Sequence, residues 1–245
     1  MVKNIYSSIL SQKGKKKLFA ILIDSDKFNE HEIVSKSIAA NVDFFLVGGS
    51  ILMNDNFEMC IKTLKEKTTI PVIIFPGNFP QQINKHADGI LFLSLISGRN
   101  SELLIGSQVI AAPIIKSTEL EVISTGYMLI ESGRTTAALY ISNTHPIPYE
   151  KDEIAAATAM AGEMLGLKMI YMDAGSGAEK CVSTSMIKKV SSSIKVPLII
   201  GGGINSVEKA IIVCEAGADI IVIGNAIEKD ATLITEIANA IHQFN

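Results

Sequence analysis

The chain has 245 residues, 48% hydrophobic and 19% charged, with a formal net charge of −3. The length is close to the roughly 250 residues of a (β/α)8 barrel, and the lack of a basic excess argues against a nucleic-acid partner. Cys60, Cys181 and Cys214 form no CxxC pair, no apolar run reaches the roughly 18 residues of a membrane span, and the N-terminus carries no apolar signal segment, so a disulfide framework, a zinc site and an integral membrane protein are all disfavoured and a reducing cytoplasm is expected.

In chain order, the basic run Lys13 to Lys17 comes first. It reads as a solvated surface turn, with attraction to an anionic membrane surface as a second reading. Strand-length apolar runs follow at Leu18 to Asp24, Asp43 to Gly49, Pro71 to Gly77 and Gly89 to Ser94. Four more lie at Glu121 to Glu131, Lys168 to Gly175, Pro197 to Gly203 and Asp219 to Asn225. Their near-continuous Ile, Leu, Val and Phe content predicts strands buried on both faces.

The intervening segments carry helical patterns. Ser206 to Ala216 has a polar N-cap and Gly217 just past its end, Lys151 to Leu165 is rich in Ala and Met, and Asp230 to Phe244 puts Leu233, Ile234, Ile237, Ala238 and Ile241 on one face. Alternation of strand and helix predicts a parallel sheet, here a single (β/α)8 TIM barrel over residues 1–245, with an open doubly wound sheet as the competing architecture. The stretch between Gly77 and Gly89 is short for a full helix, so an irregular replacement is expected after strand three.

Chemistry in such a barrel sits just past the C-terminal ends of the strands. After strand seven the chain reads Gly201-Gly202-Gly203-Ile204-Asn205, and after strand eight Gly224-Asn225. Glycine-rich turns let backbone N–H groups approach an anion, and these two loops are the usual phosphate site of the fold. After strand six, Tyr171 and Asp173 alternate onto one face, followed by Gly175-Ser176-Gly177; carboxylate and phenol suit polyol hydroxyls, and the loop amides suit a phosphate. After strand one come Asp24, Asp26 and Lys27, and after strand two Gly48-Gly49-Ser50. Asp24 and Ser50, on adjacent strands, are candidates for one hydrated Mg2+. His31, His86 and His242 read as surface residues, while His145 follows strand five and can reach the mouth.

The strings YMDAGSGA, IIGGGI and VIGNAI, preceded by LIDSDK and VGGS, resemble the geranylgeranylglyceryl phosphate synthases and their bacterial relatives, the heptaprenylglyceryl phosphate synthases. The resemblance covers essentially the whole chain, and TGYMLIESGRTTAALYISNTHPIP resembles the second group of that family. It implies Mg2+-dependent transfer of a prenyl group from a polyprenyl diphosphate, geranylgeranyl diphosphate first among them, to sn-glycerol 1-phosphate. Carried over by motif, the glycerol phosphate contacts are Tyr171, Met172, Asp173, Ala174, Gly175, Ser176, Gly177, Gly202, Gly203, Gly224 and Asn225. Tyr171 and Asp173 are the catalytic candidates, Asp26 and Lys27 face the diphosphate, and Asp24 and Ser50 hold the metal. It also implies a homo-oligomer, dimer or hexamer, working in the cytoplasm in peripheral contact with membrane lipid.

Two positions depart from the family pattern. Asp173 stands where the family usually has glutamate, and Ser25 where it has proline. For the apolar tail, Phe75, Phe79, Phe92, Leu93, Tyr127 and Tyr140 are groove candidates. Two other readings stay open on the residues alone: a sugar-phosphate isomerase or lyase, and a phospholigand-binding barrel without catalysis.

Overall fold

The computed structural model describes residues 4–77 and 82–244. Eight parallel strands close into one barrel in sequence order: β1 (Leu18–Ile23), β2 (Phe44–Val47), β3 (Val72–Ile74), β4 (Gly89–Leu95), β5 (Glu121–Leu129), β6 (Met169–Asp173), β7 (Leu198–Gly201) and β8 (Ile220–Ile223). Closure is made by β1 against β8, with Leu18 opposite Ile220 and Ile21 opposite Ile223. Every residue of β2, β3, β6, β7 and β8 is buried, as strands covered on both faces require.

The outer layer holds α2 (Glu30–Ala39), α3 (Phe57–Lys67), α4 (Ser107–Lys116), α6 (Asp152–Met164), α7 (Thr184–Ser193), α8 (Val207–Glu215) and α10 (Leu233–His242). Short helices α5 (Ala137–Ser142) and α9 (Asn225–Lys229) follow β5 and β8. Among the described residues no helix joins β3 to β4, as the short connection implied; Phe79 lies outside the described residues. A π-helical turn, Glu102–Gly106, runs directly into α4.

The structure adds a helix that the apolar periodicity did not reveal. In α1 (Ile5–Gln12), Ile5 and Ile9 are buried, and the Glu121 carboxylate accepts the N–H groups of Ile5 and Tyr6. The helix therefore packs at the N-terminal ends of β4 and β5, away from the mouth.

The basic run that follows α1 is not simply solvated. Lys13 pairs with Asp219 at 2.7 Å and Lys16 with Asp43 at 3.0 Å. These carboxylates belong to a repeated device: Asp43, Asp88 and Asp219 each precede a strand and accept an N–H at the start of the strand before it, at Phe19, Val72 and Leu198. An edge amide that would otherwise lack a ladder partner is thereby satisfied. His242, expected at the surface, also joins this face, with Nε2 3.0 Å from Asp43 Oδ2.

Candidate active site

At the opposite, C-terminal face, the loops after β6, β7 and β8 enclose a cavity of about 210 Å³. Its wall includes Tyr171, Asp173, Gly175, Ser176 and Gly177 from the β6 side, Gly202, Gly203 and Asn205 after β7, and Gly224, Asn225 and Lys229 after β8. Nine of the expected glycerol phosphate residues thus converge on one space.

Met172 and Ala174 do not line it. Strand alternation turns Met172 to the opposite face from Tyr171 and Asp173, where it is fully buried. Ala174 is 2% exposed, and its N–H is spent on the Gly201 carbonyl.

Close approach between loops explains the glycine at 202. Its φ is +82°, and a Cβ there would stand 2.5 Å from Gly175 N and 2.8 Å from Asp173 Oδ1. Only glycine accepts both the left-handed backbone and that proximity. Past Asn205, α8 opens with Ser206 as N-cap, its side chain accepting the Lys209 N–H, so the loop runs into the positive end of a nine-residue helix.

Asp173 is 7% exposed and engaged on both oxygens. Oδ1 accepts the Gly175 N–H at 2.7 Å, and Oδ2 accepts the Tyr127 hydroxyl at 2.5 Å. Burial pushes its pKa above the ordinary aspartate value, and the two hydrogen bonds pull against that rise. Tyr127 and Tyr171 are held well above the ordinary tyrosine value, by burial first and then by the Asp173 charge. Both shifts favour the neutral phenol. Phe75 completes the cluster, stacked on Tyr171 at 5.2 Å and edge-on to Tyr127 at 5.7 Å. Among the described residues nothing takes the Tyr171 hydroxyl, which leaves it free for a ligand oxygen.

Across the mouth, the loops after β1 and β2 meet. Asp24 Oδ1 caps Asp26 N at 3.1 Å, Oδ2 pairs with Lys27 at 2.7 Å, and a Cβ on Gly49, the neighbour of Ser50, would lie 3.6 Å from Asp24 Oδ1. Asp26 is turned to a different task from the one expected: its two oxygens accept the N–H groups of Met53 and Asn54, tying the β2 loop to the β1 loop. Glu228, which sequence reasoning passed over, sits 3.7 Å from Lys27. Burial, and then the Asp24 charge, raise its pKa against the pull of Lys27. Among the described residues no three His, Cys, Asp or Glu side chains converge as a metal centre. A cation here would take Asp24, Ser50 and substrate or water oxygens, a donor set that suits Mg2+.

Two further polar residues of the cavity were missed, Asn205 and Lys229. Lys229 lies one helical turn beyond Asn225, so helix periodicity from that asparagine could have pointed to it. His145 is exposed and lines neither this cavity nor a second one of about 270 Å³ under the β5–α5 loop. Of the groove candidates, Phe75 and Tyr127 stand at the mouth, Leu93 is buried in the core, and Tyr140 is 78% exposed. Phe92 shares a strand face with Ser94, which bonds the Leu104 carbonyl of the outer layer, so it points away from the barrel interior.

The sequence profile of the PcrB family matches residues 11–241. The chain is similar to a geranylgeranylglyceryl phosphate synthase of Chitinophaga pinensis, 52% identical over 246 residues, covering 99% of this chain and 97% of that protein. It is also similar to the geranylgeranylglyceryl phosphate synthase of Methanosphaera stadtmanae, at 38% identity over 98% of this chain and 100% of the other. Among solved structures, (S)-3-O-geranylgeranylglyceryl phosphate synthase from Thermoplasma acidophilum, crystallised with its substrate sn-glycerol-1-phosphate, superposes with a TM-score of 0.92 at 29% identity, covering 98% of this chain and 99% of that one.

Proposed function

The chain belongs to the PcrB family, and from that premise we propose how its mouth carries out prenyl transfer. The protein is a prenyltransferase that joins sn-glycerol 1-phosphate to a polyprenyl diphosphate, giving an ether-linked prenylglyceryl phosphate. Geranylgeranyl diphosphate is the donor we assign, following its named relatives. The observation that carries the reading is the single cavity that joins Asp173 to the glycine loops after β6, β7 and β8.

Backbone amides of Gly202, Gly203 and Gly224 and the side chains of Ser176, Asn225 and Lys229 take the phosphate. Tyr171 and Asp173 take the glycerol hydroxyls. Asp24 and Ser50 would hold Mg2+, which would supply positive charge to neutralise the leaving diphosphate. Lys27 meets the same diphosphate as a point charge, and Asp26 shapes the loop beside it. Phe75 and Tyr127, on the β3 and β5 side, start the apolar path for the prenyl chain. Asp173 is the base toward which the attacking hydroxyl's proton moves, and its raised proton affinity suits that role.

Among the described residues no helix is long and apolar enough to cross a membrane. The location we assign is the cytoplasm, where the protein meets its lipidic donor at the membrane surface. Exposed Ile105, Val109, Ile110 and Ile114 along the α4 side, with Tyr140 on α5, support a homo-oligomer, dimer or hexamer.

The test is incubation with radiolabelled glycerol 1-phosphate, Mg2+ and prenyl diphosphates from farnesyl to heptaprenyl, followed by extraction into organic solvent. The expected result is label in the organic phase with the geranylgeranyl donor and none with EDTA. Label with a longer donor alone reassigns the chain length. Glycerol phosphate binding without product from any donor overturns the prenyltransferase reading in favour of a binding protein.

A further inference from the structure

Asp173 meets its substrate with both oxygens already engaged, one by the Gly175 N–H and the other by the Tyr127 hydroxyl. It is 7% exposed and Tyr171 is 1% exposed, whereas Tyr127 is only half-buried. Tyr127 reaches Asp173 from β5, on the side of the prenyl path rather than from the wall of the phosphate cavity. A phenol has one hydrogen and two acceptor lone pairs. Here the hydrogen is given to Asp173, and among the described residues no donor occupies the lone pairs. A substrate hydroxyl that comes beside Tyr127 therefore finds an acceptor at its Oη without breaking an existing bond.

We propose that Tyr127 is a catalytic proton relay between the attacking glycerol hydroxyl and Asp173; this rests on the prenyl-transfer reading above. As the glycerol oxygen forms its bond to the allylic carbon, the diphosphate departs with the electron pair of the broken C–O bond. The glycerol O–H bond breaks and its proton passes to Tyr127 Oη. The proton that Tyr127 held moves to Asp173 Oδ2. Tyr127 ends neutral, Asp173 ends as the neutral acid, and the product is the ether. No free tyrosinate forms, which suits a phenol whose burial beside a carboxylate disfavours that charge.

The experiment compares wild type, Tyr127→Phe, Asp173→Asn and the double variant, using glycerol 1-phosphate with geranylgeranyl diphosphate. Calorimetric binding of glycerol 1-phosphate is measured alongside kcat. The relay predicts that Tyr127→Phe keeps glycerol phosphate affinity and loses about 10²- to 10⁴-fold in kcat, the range of general acid–base catalysis. The double variant should be no slower than the worse single one, as for residues that act as a unit. The wild-type proton inventory in mixed H2O and D2O should be curved, because two protons move. Tyr127→Phe retaining most of the wild-type kcat overturns the relay; a mere orienting role would instead move the acid limb of kcat/KM to higher pH at full plateau. Should Tyr127→Phe fail to bind glycerol phosphate, fluorotyrosine at position 127 decides: an altered kcat supports the relay and an unaltered one overturns it. A wild-type protein that makes no product with any donor fails at an earlier, separate step and takes the parent reading with it.

Discussion

A methyl group on Gly201 would stand 2.4 Å from the hydroxyl oxygen of Tyr171, so the last residue of β7 makes the space in which that phenol lies. The ring is held on its other side by Phe75, stacked at 5.2 Å, and has no easy retreat. Gly201→Ala should therefore cost about 1–3 kcal/mol of stability, as overpacking of a filled core does. It should also weaken glycerol phosphate binding, because the displaced phenol lines that cavity. Urea unfolding and calorimetry check the two effects; a variant unchanged in both refutes the contact.

Asp173 gives the reaction its expected pH dependence. Burial raises its pKa above the ordinary value near 3.9, and the hydrogen bonds from Tyr127 and Gly175 limit the rise. With Asp173 as the base proposed above, kcat/KM should fall as pH drops through a value above that ordinary one. The stability sign is opposite to that of a salt-bridged acid: with the folded pKa raised, this group's contribution is greatest at low pH and is lost as pH rises through the folded value. Asp173→Asn should therefore abolish most turnover without lowering the melting temperature at neutral pH. A large loss of stability in that variant would show the charge to be supporting the fold.

The barrel and the cavity formed by its β6, β7 and β8 loops were legible because their signals are local. Continuous apolar runs mark strands buried on both faces, and glycines just past β6, β7 and β8 mark where backbone approaches an anion. The partners of those residues were not legible. Tyr127 lies 46 positions from Asp173, and only the pairing of β5 with β6 brings them together. The same holds for Lys13 with Asp219, 206 positions apart, which hid the role of the basic run. Met172 was drawn into the site by motif alone, although the strand's period of two sends it outward.

At the N-terminal face, Asp43 accepts the Phe19 N–H and meets both Lys16 and His242. Burial pushes its pKa up, but the bonds from His242, Phe19 and Lys16 together bring it below the ordinary value. A depressed carboxyl contributes stability above its unfolded pKa and loses it as pH falls through the folded one. Asp43→Ala should cost roughly 2–4 kcal/mol at neutral pH, between one charged hydrogen bond and a fully buried ion pair. The difference from wild type should shrink in acid; denaturant titrations at pH 7 and pH 3 measure it.

Lys229 is the cation that lines the phosphate cavity, one turn along α9 from Asn225. Its side chain is exposed, so it acts through a screened field. Lys229→Met should raise KM for glycerol phosphate by about tenfold, some 1.4 kcal/mol, and leave kcat little changed. The wild-type KM should also climb with added salt more steeply than the variant's. Equal salt slopes would place Lys229 outside the phosphate's reach.

The proposed metal and phosphate sites draw on different strands, and that separation is testable. Asp24 and Ser50 belong to the β1 and β2 loops, while the cavity belongs to the loops after β6, β7 and β8. Removing Mg2+ with EDTA, or changing Asp24→Asn, should abolish product formation yet leave glycerol 1-phosphate affinity intact. Asp24→Asn should also release Lys27, whose pKa is raised chiefly by its hydrogen bond to Asp24. Lys27 then keeps Glu228 as its acidic neighbour among the described residues, so the variant's residual diphosphate binding should depend on salt and no longer on Mg2+. Calorimetry of inorganic diphosphate, with and without Mg2+, separates the cases. Glycerol phosphate affinity that falls together with metal binding would mean the two sites share a ligand across the mouth.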